Sequence, residues 1–247
     1  MSYFNRYYAN LHPELKSYFE ILSPEFPKFL IPYINTQIMQ RLDRIGYFCG
    51  MTRASKAIYN FKYELSRLDH SISSALIVWH FTSDKTQTIA ALFHDVGTPA
   101  FAHVIDYLNK DYTHQSTEID LTDILYNDSI LKCLLLRDQI DIEDIIDYKQ
   151  FSLVDNQRPK ICADRLDGIF LTSLVWTQKT NLEEIEKIYQ QIDIDFNLDG
   201  EPEYYFMDEK SVFRLIELND EITKLCYSDE DFYMMTLLAN IVKKLIK

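Results

Sequence analysis

Apolar positions along the chain set out a series of helices before any chemistry is considered. Ile38, Leu42 and Ile45 repeat at helical spacing and predict a helix over 34–48. The next helix, from His70 to about Thr82, would bury Ile72, Leu76 and Trp79. Ser83 to Gln87 reads as a fresh start, with Asp84 as N-cap and Gln87 three residues on, and that helix runs to Gly97 before Pro99. Over 119–148 the buried faces come from Ile124, Leu125, Leu131, Leu134, Leu135, Ile142, Ile145 and Ile146. Pro159 suits the first turn of a helix that carries Asp164.

Beyond Gln178 the period changes. A helix over Leu182 to Gln190 is followed by strict alternation from Ile192 to Leu198, an Asp199-Gly200 turn signal, and Tyr204-Tyr205-Phe206 placed to pair back. Two helices, at about 209–227 and 229–246, close the chain, the last ending in Lys243, Lys244 and Lys247 as suits a C-terminus. Residues 1–33 are aromatic-rich and broken by Pro13, Pro24, Pro27 and Pro32, which implies short helices and turns. The expected fold is all-α, with a small β-hairpin near the C-terminus. Its organisation reads as a lead-in (1–36), a core (37–180), and a C-terminal helix, hairpin and helix pair (181–247) packed on it.

Composition adds bounds. A chain of 247 residues, 47% hydrophobic and 26% charged, can bury a substantial core as one large or two small domains. Cys49, Cys133, Cys162 and Cys226 are widely spaced, form no C-x-x-C pair and read as reduced core residues of a cytoplasmic protein. The first residues lack an export signal, and no run of 18 apolar residues occurs, so neither secretion nor membrane insertion is expected. A net charge of −13 argues against stable binding to nucleic acid or anionic membranes. The charge is uneven, however. Arg41, Arg44, Arg53, Lys56, Lys62 and Arg67 face only Asp43 and Glu64 in the stretch before His70, which would draw a small anion. Only five glycines are present, which disfavours a phosphate-cradling glycine loop.

Histidine and carboxylate inside apolar helices are the candidate chemistry. His94 and Asp95 are adjacent at the end of Ala91-Leu92-Phe93, so they project about 100° apart and can grip one ion only if other helices complete its shell. His70 upstream and Asp164 downstream qualify. Two imidazoles and two carboxylates neutralise a divalent cation, and mixed N/O ligation suits Mn, Fe, Co, Ni or Zn, with Mg less favoured. His12, beside Pro13, reads as a surface or capping residue, and His80, about 15 Å along its helix from His70, as a core or rim residue.

This H…HD…D set resembles the HD-domain superfamily of metal-dependent phosphohydrolases, which implies a helical bundle with one divalent metal at its centre. Gln40-Arg41-Leu42-Asp43-Arg44-Ile45, the Phe101, His103 and Asp106 that follow the His-Asp pair, and Thr113-His114-Gln115 are similar to segments of the deoxynucleotide triphosphohydrolase branch. The chain departs from that branch where Thr98 replaces a histidine, Gly168 a tyrosine, Thr172 an aspartate, and the Tyr47 region a glutamine.

What the resemblance implies is specific. The metal would be held by His70, His94, Asp95 and Asp164. Arg67, Arg165 and His103 would neutralise phosphates, and His114, oriented by Asp106 and assisted by Glu118, would protonate the leaving oxygen. The expected reaction converts a deoxynucleoside triphosphate to nucleoside and tripolyphosphate in a homo-oligomeric enzyme. Two alternatives stay open: a phosphatase or phosphodiesterase acting on another nucleotide, with a second metal recruited by His103 and His114, and a non-catalytic nucleotide sensor.

Overall fold

A computed structural model describes residues 2–109 and 121–245. In chain order the helices are α1 (Tyr3–Asn10), α2 (Pro13–Leu22), α3 (Leu30–Ile34), α4 (Gln37–Leu42), α5 (Arg67–Thr82), α6 (Lys85–Phe93), α7 (Val104–Asn109), α8 (Thr122–Asn127), α9 (Ser129–Asp138), α10 (Ile142–Ile146), α11 (Ala163–Thr172) and α12 (Leu182–Tyr189). The hairpin β1 (Ile192–Phe196) and β2 (Pro202–Phe206) follows, then α13 (Glu209–Cys226) and α14 (Asp229–Leu245). The all-α expectation, hairpin included, is met.

Helix α5 is the axis. Every residue from Arg67 to Val78 is buried, so the amphipathic period disappears, as expected of a helix surrounded by others. It packs against α6, α11, α2 and α4. Ile72, Ala75, Leu76, Ile77 and Val78 have no exposed surface, nor do Ile89 to Phe93 on α6 and Phe170 and Leu171 on α11. Burying such a side chain stabilises by roughly 1.5–3 kcal/mol each, so the bundle is held mainly at this triple contact. Helix α10 rests on α6, and α12 on α2.

Several boundaries differ from the sequence reading. The helix expected over 34–48 stops at Leu42. There the backbone turns to pair with the approach to α5: Tyr47 N donates to Leu65 O at 2.9 Å, Arg67 N donates to Ile45 O at 2.8 Å, and Gly46 bridges Ser66. Helix α5 begins at Arg67, three residues before His70, because Ser66 and Asp69 form a capping box. Asp84 caps α6 through Gln87 N at 2.9 Å, as expected, but the helix ends at Phe93 and the His-Asp pair lies in the turn beyond it. Pro159 lies outside α11, in the turn that leads to it. Cysteine burial is also corrected: only Cys162 is buried, Cys49 is half-buried, and Cys133 and Cys226 are exposed, all four as free thiols.

The hairpin pairs antiparallel, Ile192 opposite Phe206 and Ile194 opposite Tyr204, with Gly200 at φ +79° in its tip, a conformation that favours glycine. His12 is indeed a cap, its Nδ1 accepting from Glu14 N at 3.3 Å at the start of α2. No helix among the described residues is long and apolar enough to cross a membrane.

Candidate metal centre

Three local structures converge at one point beside α5. The Ser66–Asp69 box fixes the first turn of α5: Asp69 Oδ2 accepts from Ser66 N at 2.6 Å, Ser66 Oγ accepts from Asp69 N at 3.2 Å, and the Tyr7 hydroxyl adds a 2.5 Å bond to Asp69 Oδ1. Arg67 and His70, three residues apart, therefore leave the helix on one face. The turn after α6 is closed by Val96 N to Phe93 O and Thr98 N to Asp95 O. Arg41 braces it by donating to Val96 O at 2.6 Å and Thr98 O at 2.8 Å. Helix α11 is pinned at its start by Ala163 N to Leu153 O, and offers Asp164 and Asp167 from one face.

His70 is gripped from both sides. Its Nδ1 lies 2.6 Å from Asp167 Oδ2 and its Nε2 lies 2.9 Å from Asp164 Oδ1, while the Tyr18 hydroxyl donates to Asp167 Oδ1 at 2.6 Å. His94 Nδ1 lies 2.7 Å from Ala91 O. A carbonyl only accepts, so that nitrogen carries the proton and Nε2 presents its lone pair. His94 Nε2 is buried and has no hydrogen-bond partner; the nearest anionic atom, Asp164 Oδ1, is 3.6 Å away. Ligand atoms of His70, His94 and Asp95 all lie within 4.8 Å of one another. A buried imidazole nitrogen without a hydrogen-bond partner is costly unless something fills that space, and a neutral ring with its proton on Nδ1 offers the Nε2 lone pair to a cation. With Asp164 beside it, the set fits a divalent cation.

The electrostatics agree. Burial disfavours the charge on Asp95, but Arg67, His94 and His70 hold its carboxyl below the ordinary carboxylate range. Burial likewise opposes the charge on Asp164, and the two histidines push it well below that range. Burial alone would lower His70, yet the hydrogen bonds its ring donates to Asp164 and Asp167 raise it to about 10. The His94 ring is raised too, with burial opposed by Asp164 and Asp95. The two carboxylates are thus held ionised by the charges of Arg67 and the histidines, a balance that a divalent cation bound among them would also supply.

Among the residues expected at the site, Arg67 is placed at it. Its Nη1 pairs with Asp95 Oδ2 at 2.8 Å, its plane lies 5.3 Å over the Tyr47 ring, and its Nε is buried without a partner. Thr98 donates to Asp95 Oδ1 at 2.9 Å and so positions that carboxylate. His103 Nδ1 lies 3.1 Å from Asp106 Oδ2, and Asp106 Oδ1 is buried with no partner. His114 and Glu118 lie outside the described residues.

Arg165 is not gathered into the centre. Its guanidinium donates to Lys160 O at 2.9 Å, to Asn156 O at 2.7 Å and to the Asn156 side chain, and pairs with Asp155 at 3.3 Å. The role it takes in this structure is to clamp the 155–160 loop, in place of the expected phosphate contact. The same pairing accounts for a second potential cluster, Asp155, Cys162 and Asp164. Arg165 already neutralises Asp155, and burial pushes the Cys162 thiol up to about 12, leaving it protonated and a poor ligand.

Tyr18 and Tyr7 are contributions the sequence reading did not find, and the bracing role of Arg41 and the packing of Tyr47 on His70 are new roles for residues it had named otherwise. Tyr47 packs its ring 5.2 Å from His70, and its hydroxyl lies 3.5 Å from where a Cβ at Gly168 would stand. The missing side chain at 168 is thus filled from another part of the chain. The signal in sequence was the pair itself: a glycine on a buried helix face leaves room that some neighbour must occupy.

No protein-family model matches the chain. It is 27% identical over 129 residues, 52% of its length, to the metal-dependent phosphohydrolase cns2 of Cordyceps militaris. It is also 27% identical over 134 residues, 54% of its length, to the uncharacterized protein YdhJ of Bacillus subtilis. The chain spans 36% and 40% of the lengths of these two relatives.

Proposed function

We propose that this chain is a metal-dependent phosphohydrolase of the HD type that acts on a nucleotide, and most directly one that cleaves a deoxynucleoside triphosphate to nucleoside and tripolyphosphate. The observation that carries the first part is the buried, unpartnered His94 Nε2 beside His70, Asp95 and Asp164. Similarity to a protein named metal-dependent phosphohydrolase supports it. The triphosphate reading rests on the resemblance of the 101–106 and 113–115 segments to that branch.

His70, His94, Asp95 and Asp164 would hold the cation, with both imidazoles oriented through Nδ1. A divalent ion there would polarise a phosphoryl oxygen and acidify a water for attack on phosphorus. Arg67 contributes fixed positive charge next to the centre through its Nη1, which pairs with Asp95. Asp164, with 36% of its side chain exposed, is the most accessible of the four proposed ligands and the one substrate would meet first. Tyr47 forms a wall beside His70. His103, oriented by Asp106, stands as a second proton-carrying group, and His114 is the proposed acid for the leaving 5′ oxygen.

Product analysis tests this. Mn²⁺-loaded protein would be offered a panel of deoxy- and ribonucleotides, with His94→Ala as the control. Nucleoside plus tripolyphosphate from the parent, lost in the variant, supports the triphosphohydrolase. Orthophosphate instead would retain HD-type hydrolysis and make the enzyme a phosphatase. Saturable nucleotide binding with no product under any metal would reject catalysis and leave a sensor.

A further inference from the structure

Helix α14 has two apolar faces, and among the described residues only one is packed against the rest of the chain. Asp231, Met235, Ala239 and Val242 are 8% exposed or less and pack on Met51, Tyr59 and Val104, with the Tyr59 hydroxyl donating to Asp231 at 2.8 Å. On the far side Tyr233 is 65% exposed, Leu237 40% and Ile241 46%, a stripe at intervals of four residues. Glu230 and Lys244, also exposed, bracket it. At about 100° per residue these five positions fall within an arc of about 80°.

The stripe is symmetric about Leu237. Tyr233 and Ile241 stand equally far on either side of it, and so do Glu230 and Lys244. A helix laid antiparallel across a second copy, with Leu237 on the two-fold axis, therefore sets Tyr233 against Ile241, and Glu230 against Lys244 at both ends. A parallel pairing would set glutamate on glutamate and lysine on lysine. The spacing 3-4-4-3 along the seam is that of packed helix pairs, and antiparallel helix dipoles add to the preference.

We propose that α14 is a self-association surface, and that its occupant is the α14 of a second copy of this chain in antiparallel register. This inference is independent of the proposed chemistry. A seam of one helix pair is smaller than the roughly 1,200–2,000 Å² of a standard interface, so the dimer is weak and concentration-dependent.

Sedimentation velocity of the full chain over about two decades of concentration reads this directly. The parent should pass from its 29.3 kDa monomer to twice that mass, and Leu237→Asp should stay monomeric with an unchanged thermal midpoint. Glu230→Lys and Lys244→Glu should each raise the dissociation constant about tenfold, while an equimolar mixture of the two restores pairing. A parent monomeric throughout, or a Leu237→Asp protein that dimerises like the parent, overturns the surface. A mixture no tighter than its components overturns the antiparallel register.

Discussion

The Tyr18 hydroxyl donates to Asp167 Oδ1 at 2.6 Å across 149 residues of sequence, and Asp167 passes that constraint to His70 Nδ1 at 2.6 Å. Tyr18 and Asp167 have no exposed surface, and His70 is 2% exposed. The orientation of the His70 imidazole is thus set from the N-terminal helices, a stretch whose sequence shows no chemistry of its own.

Removing either support should therefore act on metal binding. Asp167→Asn replaces a carboxylate acceptor by a neutral amide and should weaken metal affinity by about 10–100-fold, the usual range for a lost partner of a ligating histidine. Tyr18→Phe leaves Asp167 Oδ1 without its donor inside the core and should cost about 1.5–3 kcal/mol in denaturant unfolding. A Tyr18→Phe protein as stable as the parent would show that this hydrogen bond contributes nothing.

The two histidines should respond differently. His94 makes one close hydrogen bond, to Ala91 O, and lies 3.6 Å from Asp164, so His94→Ala should abolish stoichiometric Mn²⁺ or Zn²⁺ binding while costing less stability than the loss of His70. His70→Ala strands the buried carboxylate of Asp167 and should cost about 3–5 kcal/mol as well as the metal. Metal analysis beside thermal unfolding separates the two, and equal destabilisation by both would contradict the asymmetry.

What sequence could show follows from what each residue interacts with. The candidate cluster was legible because imidazole and carboxylate inside apolar helical runs need a reason to be there, and the hairpin because alternation and Asp199-Gly200 are local signals. The short α4 was not, since its end depends on pairing between Gly46 and Ser66, distant in the chain. The loop contacts of Arg165 were hidden for the same reason: its hydrogen-bond acceptors, Lys160 O and the Asn156 amide, belong to a loop whose path sequence does not reveal. Tyr18 looked like one more aromatic in an aromatic-rich lead-in.

The centre also predicts opposite pH responses with and without metal. His70 is raised from 6.5 to about 10 in the folded protein, so its proton stabilises the metal-free fold fully below about pH 6.5, and that contribution is lost as pH rises through about 10. Asp95 and Asp164 are depressed, so their contribution is present above about pH 3.9 and is lost as pH falls further. Metal must displace the His70 proton, so affinity should climb by about tenfold per pH unit up to about pH 10. Thermal midpoints for chelated and metal-loaded protein should diverge as pH rises from 6 to 9. Curves that stay parallel would mean that His70 is not a ligand.

Arg67 and Arg165 give the sharpest contrast between a residue at the site and one that shapes its surroundings. Arg67 is 7% exposed, pairs with Asp95, and keeps one donor unpartnered; Arg165 has its donors on the 155–160 loop. Arg67→Met should reduce turnover of a phosphate substrate by orders of magnitude and, by stranding Asp95, should cost about 3–5 kcal/mol in the metal-free protein. Arg67→Lys, which keeps the charge but not the fork, should recover part of both. Arg165→Met should loosen the loop before α11 and lower stability, with KM changed far less than by Arg67→Lys. Initial-rate kinetics on the three variants, paired with unfolding curves, decide the matter: a large KM increase confined to Arg165→Met would move the phosphate contact to Arg165 and require the loop to release it when substrate binds.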